Sequence, residues 1–332
     1  MQSATSPIVL SLFLACVSGL PTFAADASSD VFRRTLPAAS GGRLVIDTDR
    51  GSIRVAGGSQ NEVQVEVIRK IVGGSARKGA QLLERHRVDL TESNGTFRLE
   101  ADLEGNDTWS FRGPRLEVDI RVTVPREFSL DAQTAGGAVH ANGLKGDVAV
   151  RTSGGSLRLE NIVGPVSGKT SGGSIHGLHL DGRVDLTTSG GSIDIEGVVG
   201  GPTKVSTSGG SIRLAGMASP IEARTAGGSI RLETSVGPVV AGTSGGSVDA
   251  VMTAPPKHDI ELRSSAGGIA LVLPSDAAFD LDASTSAGSV SSDFRAGPAK
   301  PGNRSSLVGP VNGGGPRVKL RTSAGSIRVR KH

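Results

Sequence analysis

The chain has no tyrosine, one tryptophan and eight phenylalanines in 332 residues. Sugar-binding and single-strand-binding surfaces usually rest on aromatic platforms. Here only Trp109 and Phe111, in the loop from Gly105 to Pro114, are close enough in sequence to form one; a surface loop tucked onto the N-terminal strands is the first reading of them, and a binding spot or a cap contact the second. An excess of one charge is also missing: 36 Lys and Arg against 32 Asp and Glu leave +4, too balanced a surface to mark a nucleic-acid binder. No apolar run reaches the roughly 20 residues of a membrane-spanning helix. Glycine is abundant, at 48 residues, but does not recur every third position, which excludes collagen. In helix interiors each glycine would cost about 1 kcal/mol relative to alanine, which argues against a helical globule.

The first stretch reads as an export signal, 1–24. Ile8 to Leu20 has the length of a signal-peptide apolar segment, and the small-residue site Thr22-Phe23-Ala24 follows Pro21, with cleavage after Ala24 or Ala25. The single cysteine, Cys16, lies inside this segment. Phe13-Leu14-Ala15-Cys16 departs from a lipid-attachment signal at Phe13 and Leu14, so Cys16 is read as a signal residue and not as a lipoprotein anchor. The mature chain then has no disulfide, and its stability must come from packing and hydrogen bonds. Export places it in the periplasm, at the cell surface or outside the cell.

Self-comparison reveals a repeat. A hexad of the form Thr-Ser-Gly-Gly-Ser-Ile starts at Thr134, Thr152, Thr170, Thr188, Thr207, Thr225 and Thr243, at intervals of 18 or 19 residues, and in looser form at Ser264, Thr285 and Thr322. Within a unit, Val148, Val150 and Thr152 alternate with Ala149 and Arg151; after the glycines, Leu157 and Leu159 alternate with Arg158 and Glu160. Period two specifies strands with one buried face. The spacing predicts two short strands joined by a glycine corner, with Ile162, Leu180, Val198 or Met217 returning to the core at a second corner. A unit of 18 residues is too short for a propeller blade but fits one coil of an all-β single-stranded β-helix, a β-solenoid. Ten copies at about 4.8 Å per coil make a rod on the order of 50 Å long.

The fourth hexad position is glycine in every copy: Gly137, Gly155, Gly173, Gly191, Gly210, Gly228, Gly246, Gly267, Gly288 and Gly325. The third tolerates Ala266, Ala287 and Ala324. The fourth position therefore needs either positive φ or the space a Cβ would take. The threonine column shares parity with the buried aliphatics and is expected to bond to the corner backbone. Residues 30–125 are more charged and less regular, and read as the first wide coils of the same solenoid, with one short helix near Ser75 to His86 whose less polar side is Ala80, Leu82 and Leu83. Residues 126–332 carry the regular repeats, interrupted by a Pro/Gly-rich insertion at 297–316. Val318 to Val329 then reads as the final coil.

The hexads, the Gly51-Ser52-Ile53 opening and the closing Thr-Ser-Ala-Gly-Ser-Ile resemble a bacterial putative-adhesin family of β-strand-repeat, domain-of-unknown-function proteins. Gly309-Pro310-Val311-Asn312-Gly313-Gly314 is similar to the Gly-Ile-Asn signature of the related head GIN domains, with Pro310 inserted. The resemblance covers about residues 40 to 330. It implies a right-handed single-stranded β-helix on an exported protein, and it supplies no catalytic residues.

A β-helix that is an enzyme carries its acids and bases on the outward columns. The column after the corner runs Arg158, His176, Asp194, Arg213, Arg231 and Asp249, and adjacent coils there never present the two acids that glycosidase chemistry requires. The column before the corner contains Arg151, Lys169, Arg224 and Arg263, a sparse basic stripe suited to an acidic glycan or anionic envelope polymer, or simply a solubilising charge. His176 falls opposite His179 on a strand and shares its face with Leu178 and Leu180, so the pair is not a metal site. Gly190-Gly191-Ser192-Ile193-Asp194 lacks the second glycine unit of a calcium repeat. The hexad serines have no partnered His and Asp at a repeating distance. No cofactor or metal is expected. The expectation is a non-catalytic exported solenoid that displays a repetitive face to an envelope polymer, a surface or a protein, as a monomer or weakly self-associating. A periplasmic structural or regulatory module is the alternative, and a polysaccharide-active β-helix enzyme stands behind both.

Overall fold

The computed structural model describes residues 29–105, 114–234, 237–296 and 305–332. The signal segment, Cys16, Trp109, Phe111 and the first part of the 297–316 insertion lie outside the described residues. Among the described residues the chain is all-β with one helix, and its strands join a single continuous sheet.

Alternation sets the faces. Val148, Val150 and Thr152 are buried and Arg151 is exposed; Leu157 and Leu159 are buried and Arg158 is exposed. Parallel pairing stacks each strand on its counterpart in the next repeat. Leu157 lies beside Ile175, followed in turn by Ile193, Ile212, Ile230, Val248 and Ile269. A second ladder runs Val148, Val166, Val184, Thr203, Ile221, Val239, Ile260. None of these side chains is more than 3% exposed. Each fully buried aliphatic contributes roughly 1.5–3 kcal/mol, so the ladders form a long apolar core that needs no disulfide.

The two ladders meet at the glycine corner, where the chain turns with no room to spare. A Cβ added at Gly155 would stand 1.9 Å from the carbonyl oxygen of Gly137, and at Gly191 2.0 Å from that of Gly173. At the third position the clearance is ordinary: 3.6 Å at Gly154 and 3.5 Å at Gly190. The hexad glycines do not use positive φ; their constraint is the coil beneath. Left-handed backbone falls instead on the column Asn161, His179, Gly197 and Gly216, with φ of 53°, 51°, 70° and 61°. That residue bends the chain, so Ile162, Leu180, Val198 and Met217 point inward along a short third side. The bend corrects one expectation: Leu180 is buried while His176 is exposed, because the left-handed turn at His179 shifts the parity between them.

At both ends, spatial order departs from chain order. The N-terminal elements are β1 (Ser29–Pro37), β2 (Arg43–Thr48), β3 (Ser52–Gly58), β4 (Glu62–Val72), α1 (Ala76–Arg85), β5 (His86–Ser93), β6 (Thr96–Leu103), β7 (Arg115–Pro125), β8 (Ser129–Thr134) and β9 (Val139–Asn142). The coil β2–β3 is inserted between β6–β7 and β8–β9, so Leu44 lies between Phe97 and Leu130. The outer edges of β6 and β7 are covered by the antiparallel strands β5 and β4, and β4 by β1. The far end mirrors this. The strand Arg317–Thr322 sits between Ile260–Ser264 and Phe279–Thr285, and Ser306–Val311 covers the latter in antiparallel fashion. Val318 to Val329 is therefore the last coil in sequence but not in space. Covering the edges has a physical reason: an unpaired outer strand is a template for pairing with another chain. The helix packs Gly79 against Ile71 and leaves Leu82 and Leu83 half-buried; Ala80, expected on its packed side, is exposed.

Candidate binding faces

The two long sides of the coil carry outward rows whose members stand in register. Before the corner, Arg151 lies beside Lys169, then Thr187, Ser206, Arg224, Gly242 and Arg263. The four basic residues singled out from sequence thus share one row, and three of them are in ion pairs. Arg151 reaches Asp131 at 3.4 Å, Arg224 pairs with Glu222 on its own strand, and Arg263 with Glu261. Hydrogen bonding to Arg263 holds the Glu261 carboxyl below its ordinary range against the opposing effect of burial. Each of these three arginines is answered by an acid two residues earlier in register, on its own strand or on the adjacent coil, so most of this row is locally compensated.

At the N-terminal end of that row the chain closes a recess of about 460 Å³ between Asp47, Asp49 and Asp102 on one side and Arg151 and Lys169 on the other. The Asp102 carboxyl is raised, first by burial and then by the neighbouring acids Asp49, Asp47 and Glu100, while the Asp49 N–H it accepts at 2.9 Å opposes the rise. That N–H makes Asp102 a holder of the 48–50 corner. The grouping was not visible in sequence, because Asp49 and Asp102 meet only through the insertion of β2 beside β6.

The row after the corner extends beyond the repeats. Upstream of Arg158 and His176 it continues through His140 on β9, Arg54 on β3 and Arg121 on β7, so five successive strands each present an Arg or His at the same register. Beyond them come Glu66 on β4 and Arg33 on β1. The charges here form a linked set. Arg54 Nη1 donates to both oxygens of Asp119, at 2.7 Å each, and Arg121 Nε donates to the same carboxylate at 3.0 Å. Arg33 Nε donates to Glu66 at 2.8 Å, and Arg158 Nε to Glu160 at 2.6 Å. Burial alone would raise Asp119, but the hydrogen bonds from Ser52, Arg54 and Arg121 outweigh it and hold its carboxyl below the ordinary value. Glu160 is lowered chiefly by its bond to Arg158.

No three His, Cys, Asp or Glu side chains among the described residues are grouped so as to hold a metal, and no described helix is long and apolar enough to cross a membrane. A stack of parallel coils bearing registered rows of charge defines the class: a repetitive all-β coil protein. The chain belongs to the Toastrack DUF4097 family, whose model matches residues 42–330. No curated protein matches the chain. Among solved structures it is similar to a putative cell adhesion protein from Clostridium sporogenes, at 8% identity, 91% of this chain, 100% of that one and a TM-score of 0.22. It is also similar to putative adhesins from Bacteroides fragilis, at 13% identity, 91% and 97% coverage and a TM-score of 0.25, and from Parabacteroides merdae, at 8%, 91%, 96% and 0.31.

Proposed function

We propose that this chain is an exported, non-catalytic, right-handed β-solenoid that acts as an adhesin, holding an envelope polymer or an external surface through repeated outward side chains. The observation that carries the reading is the registration of those side chains. From Leu157 to Ile269 the strands that follow the glycine corner begin residue on residue, so the outward positions beside the corner recur at about 4.8 Å along the stack. Equivalent positions on a rigid ladder act in series, and weak contacts made together give an avidity that none has singly. The long core supports the role mechanically, since continuous backbone pairing keeps the rows in line without disulfides.

The test is protease accessibility of the tagged protein on intact native cells, run beside fractionation. Digestion of intact cells is the expected result. Protection until the envelope is opened would overturn the adhesin reading and leave the chain as a periplasmic structural or regulatory module.

A further inference from the structure

A continuous run of arginine and histidine side chains lies outside the basic stripe that the repeats suggest. It crosses β7, β3 and β9 and enters the first regular coils as Arg121, Arg54, His140, Arg158 and His176. The stripe before the corner, in contrast, is broken by Thr187, Ser206 and Gly242. Along its β1–β9 part the run borders a recess of about 530 Å³, open to solvent and lined in addition by Arg33, Gln64, Thr123 and Asn142.

Charge in this recess is layered by height. The side chains of Arg33, Arg54 and Arg121 are 70%, 52% and 51% exposed, whereas the carboxylates that hold them, Glu66 and Asp119, are 28% and 24% exposed. The acids are recessed and saturated by their arginines, and Asp119 also accepts from Ser52 at 2.8 Å. An incoming ligand therefore meets guanidinium groups first. Three arginines above two carboxylates leave a cation in excess, and a held guanidinium loses little rotamer freedom when it binds an anion. The planar fork of arginine matches a carboxylate in bidentate fashion. Alongside the arginine row, two residues away on their strands, Gln64, Thr123 and Asn142 supply neutral donors and acceptors suited to hydroxyl groups, with Ala56 interrupting them on β3.

We infer that this recess binds an acidic oligosaccharide, a linear chain with carboxylates carried on its sugar rings, running across the strands from β1 toward the regular coils. Strands follow one another at about 4.8 Å, so Arg121 and Arg54 offer cations one step apart to a chain whose carboxylates recur along its length, and His140 continues the row at the next step. The hydroxyls along one edge of that chain fall against the amide and threonine side chains of the adjacent row. This inference rests on the adhesin reading and gives it a ligand class and a place on the molecule.

The experiment is affinity electrophoresis and calorimetry of the purified mature protein with oligogalacturonate, with dextran as the neutral polymer and inorganic polyphosphate as the phosphate-bearing one. Oligogalacturonate is expected to bind with an affinity that falls steeply with salt, and dextran not to bind. The double variant R54Q/R121Q is expected to lose tenfold or more in affinity, while R224Q/R263Q on the other face keeps wild-type affinity. The variant A56E adds a carboxylate within the same recess without removing an arginine, and is expected to weaken binding likewise while melting with the wild type. Equal binding by wild type, R54Q/R121Q and A56E would overturn the inference. So would equal losses from R224Q/R263Q, or binding of polyphosphate in preference to oligogalacturonate. Cell-surface location is read separately by protease accessibility: an exposed protein with an unaltered R54Q/R121Q variant removes this site alone, and a protected protein that still binds oligogalacturonate removes the adhesin reading alone.

Discussion

Thr170 donates its hydroxyl hydrogen to the carbonyl oxygen of Gly155, one coil below, at 2.7 Å, and accepts the N–H of Gly173, in its own corner, at 3.3 Å. The same pair of bonds recurs at Thr152, Thr188, Thr207, Thr225 and Thr243. One side chain thus ties the corner to itself and to its neighbour. The Gly155 carbonyl can be reached only because Gly173 has no Cβ: an added one would stand 2.0 Å from that oxygen.

Glycine at the fourth corner position and glycine at the third should respond differently to the same small change. Gly191→Ala drives a methyl into backbone that belongs to the neighbouring coil and cannot rotate away; the expected loss is about 3 kcal/mol or more. Gly190→Ala meets its nearest atom at 3.5 Å, and the expected change is within about 1 kcal/mol. Chemical denaturation of both variants measures the difference, and equal small losses would remove the steric account of the corner.

The threonine ladder makes a second demand. Thr188 is 2% exposed, and its hydroxyl serves the Gly173 carbonyl and the Gly191 N–H together. Thr188→Val keeps the shape but strands both groups, with an expected loss of about 1–3 kcal/mol. Thr188→Ser keeps the hydroxyl and should recover most of it. Melting temperatures of the two variants decide whether the hydrogen bonds or the packing carry the column.

Much of this architecture was legible because each coil repeats a local rule. The alternation of Val148, Val150 and Thr152, the turn into Leu157 and the unvarying glycine at Gly155 and Gly173 are all read within a few residues. The end coils were not legible. Leu44 lies between Phe97 and Leu130, and any apolar face of the right length satisfies the same local rule, so coil order is settled by which edges become covered. The bend at His179 was missed because a left-handed backbone there is carried by His where the next coil has Gly197. The arginine recess was hidden for the first of these reasons. Asp119 meets Ser52 and Arg54 across more than 60 residues of sequence, and Arg33 reaches the row only through β4.

His86, 2% exposed, has no hydrogen-bond partner among the described residues for either ring nitrogen and lies close to Arg69. Burial, with Arg69 next, lowers its pKa from 6.5 to about 4; Asp49 opposes this and Arg50 adds to it. The sign follows from linkage: between pH 6.5 and 4 the unfolded chain takes up a proton that the folded chain refuses, so stability falls as the solution is acidified through that window. The expected contribution of this group is at most about 3 kcal/mol. His86→Phe should flatten that part of the profile, measured as melting temperature between pH 7 and 4.5. An unchanged slope in the variant would show that other groups govern it.

The covering strand Ser306–Val311 is held at its end by Val311, 1% exposed and opposite Phe279, and by Asn312, whose Nδ2 donates to the Ala277 carbonyl at 2.8 Å. The same strand leaves Val308 60% exposed. Val311→Asp places a carboxylate in the core and should release the strand, while Val308→Asp should leave it in place. Release uncovers the outer edge of Phe279–Thr285, whose N–H and C=O groups then stand ready to pair with a second chain. The expected result is concentration-dependent association of Val311→Asp in sedimentation velocity, absent from Val308→Asp at equal concentration. If both variants sediment alike, the strand does not guard that edge.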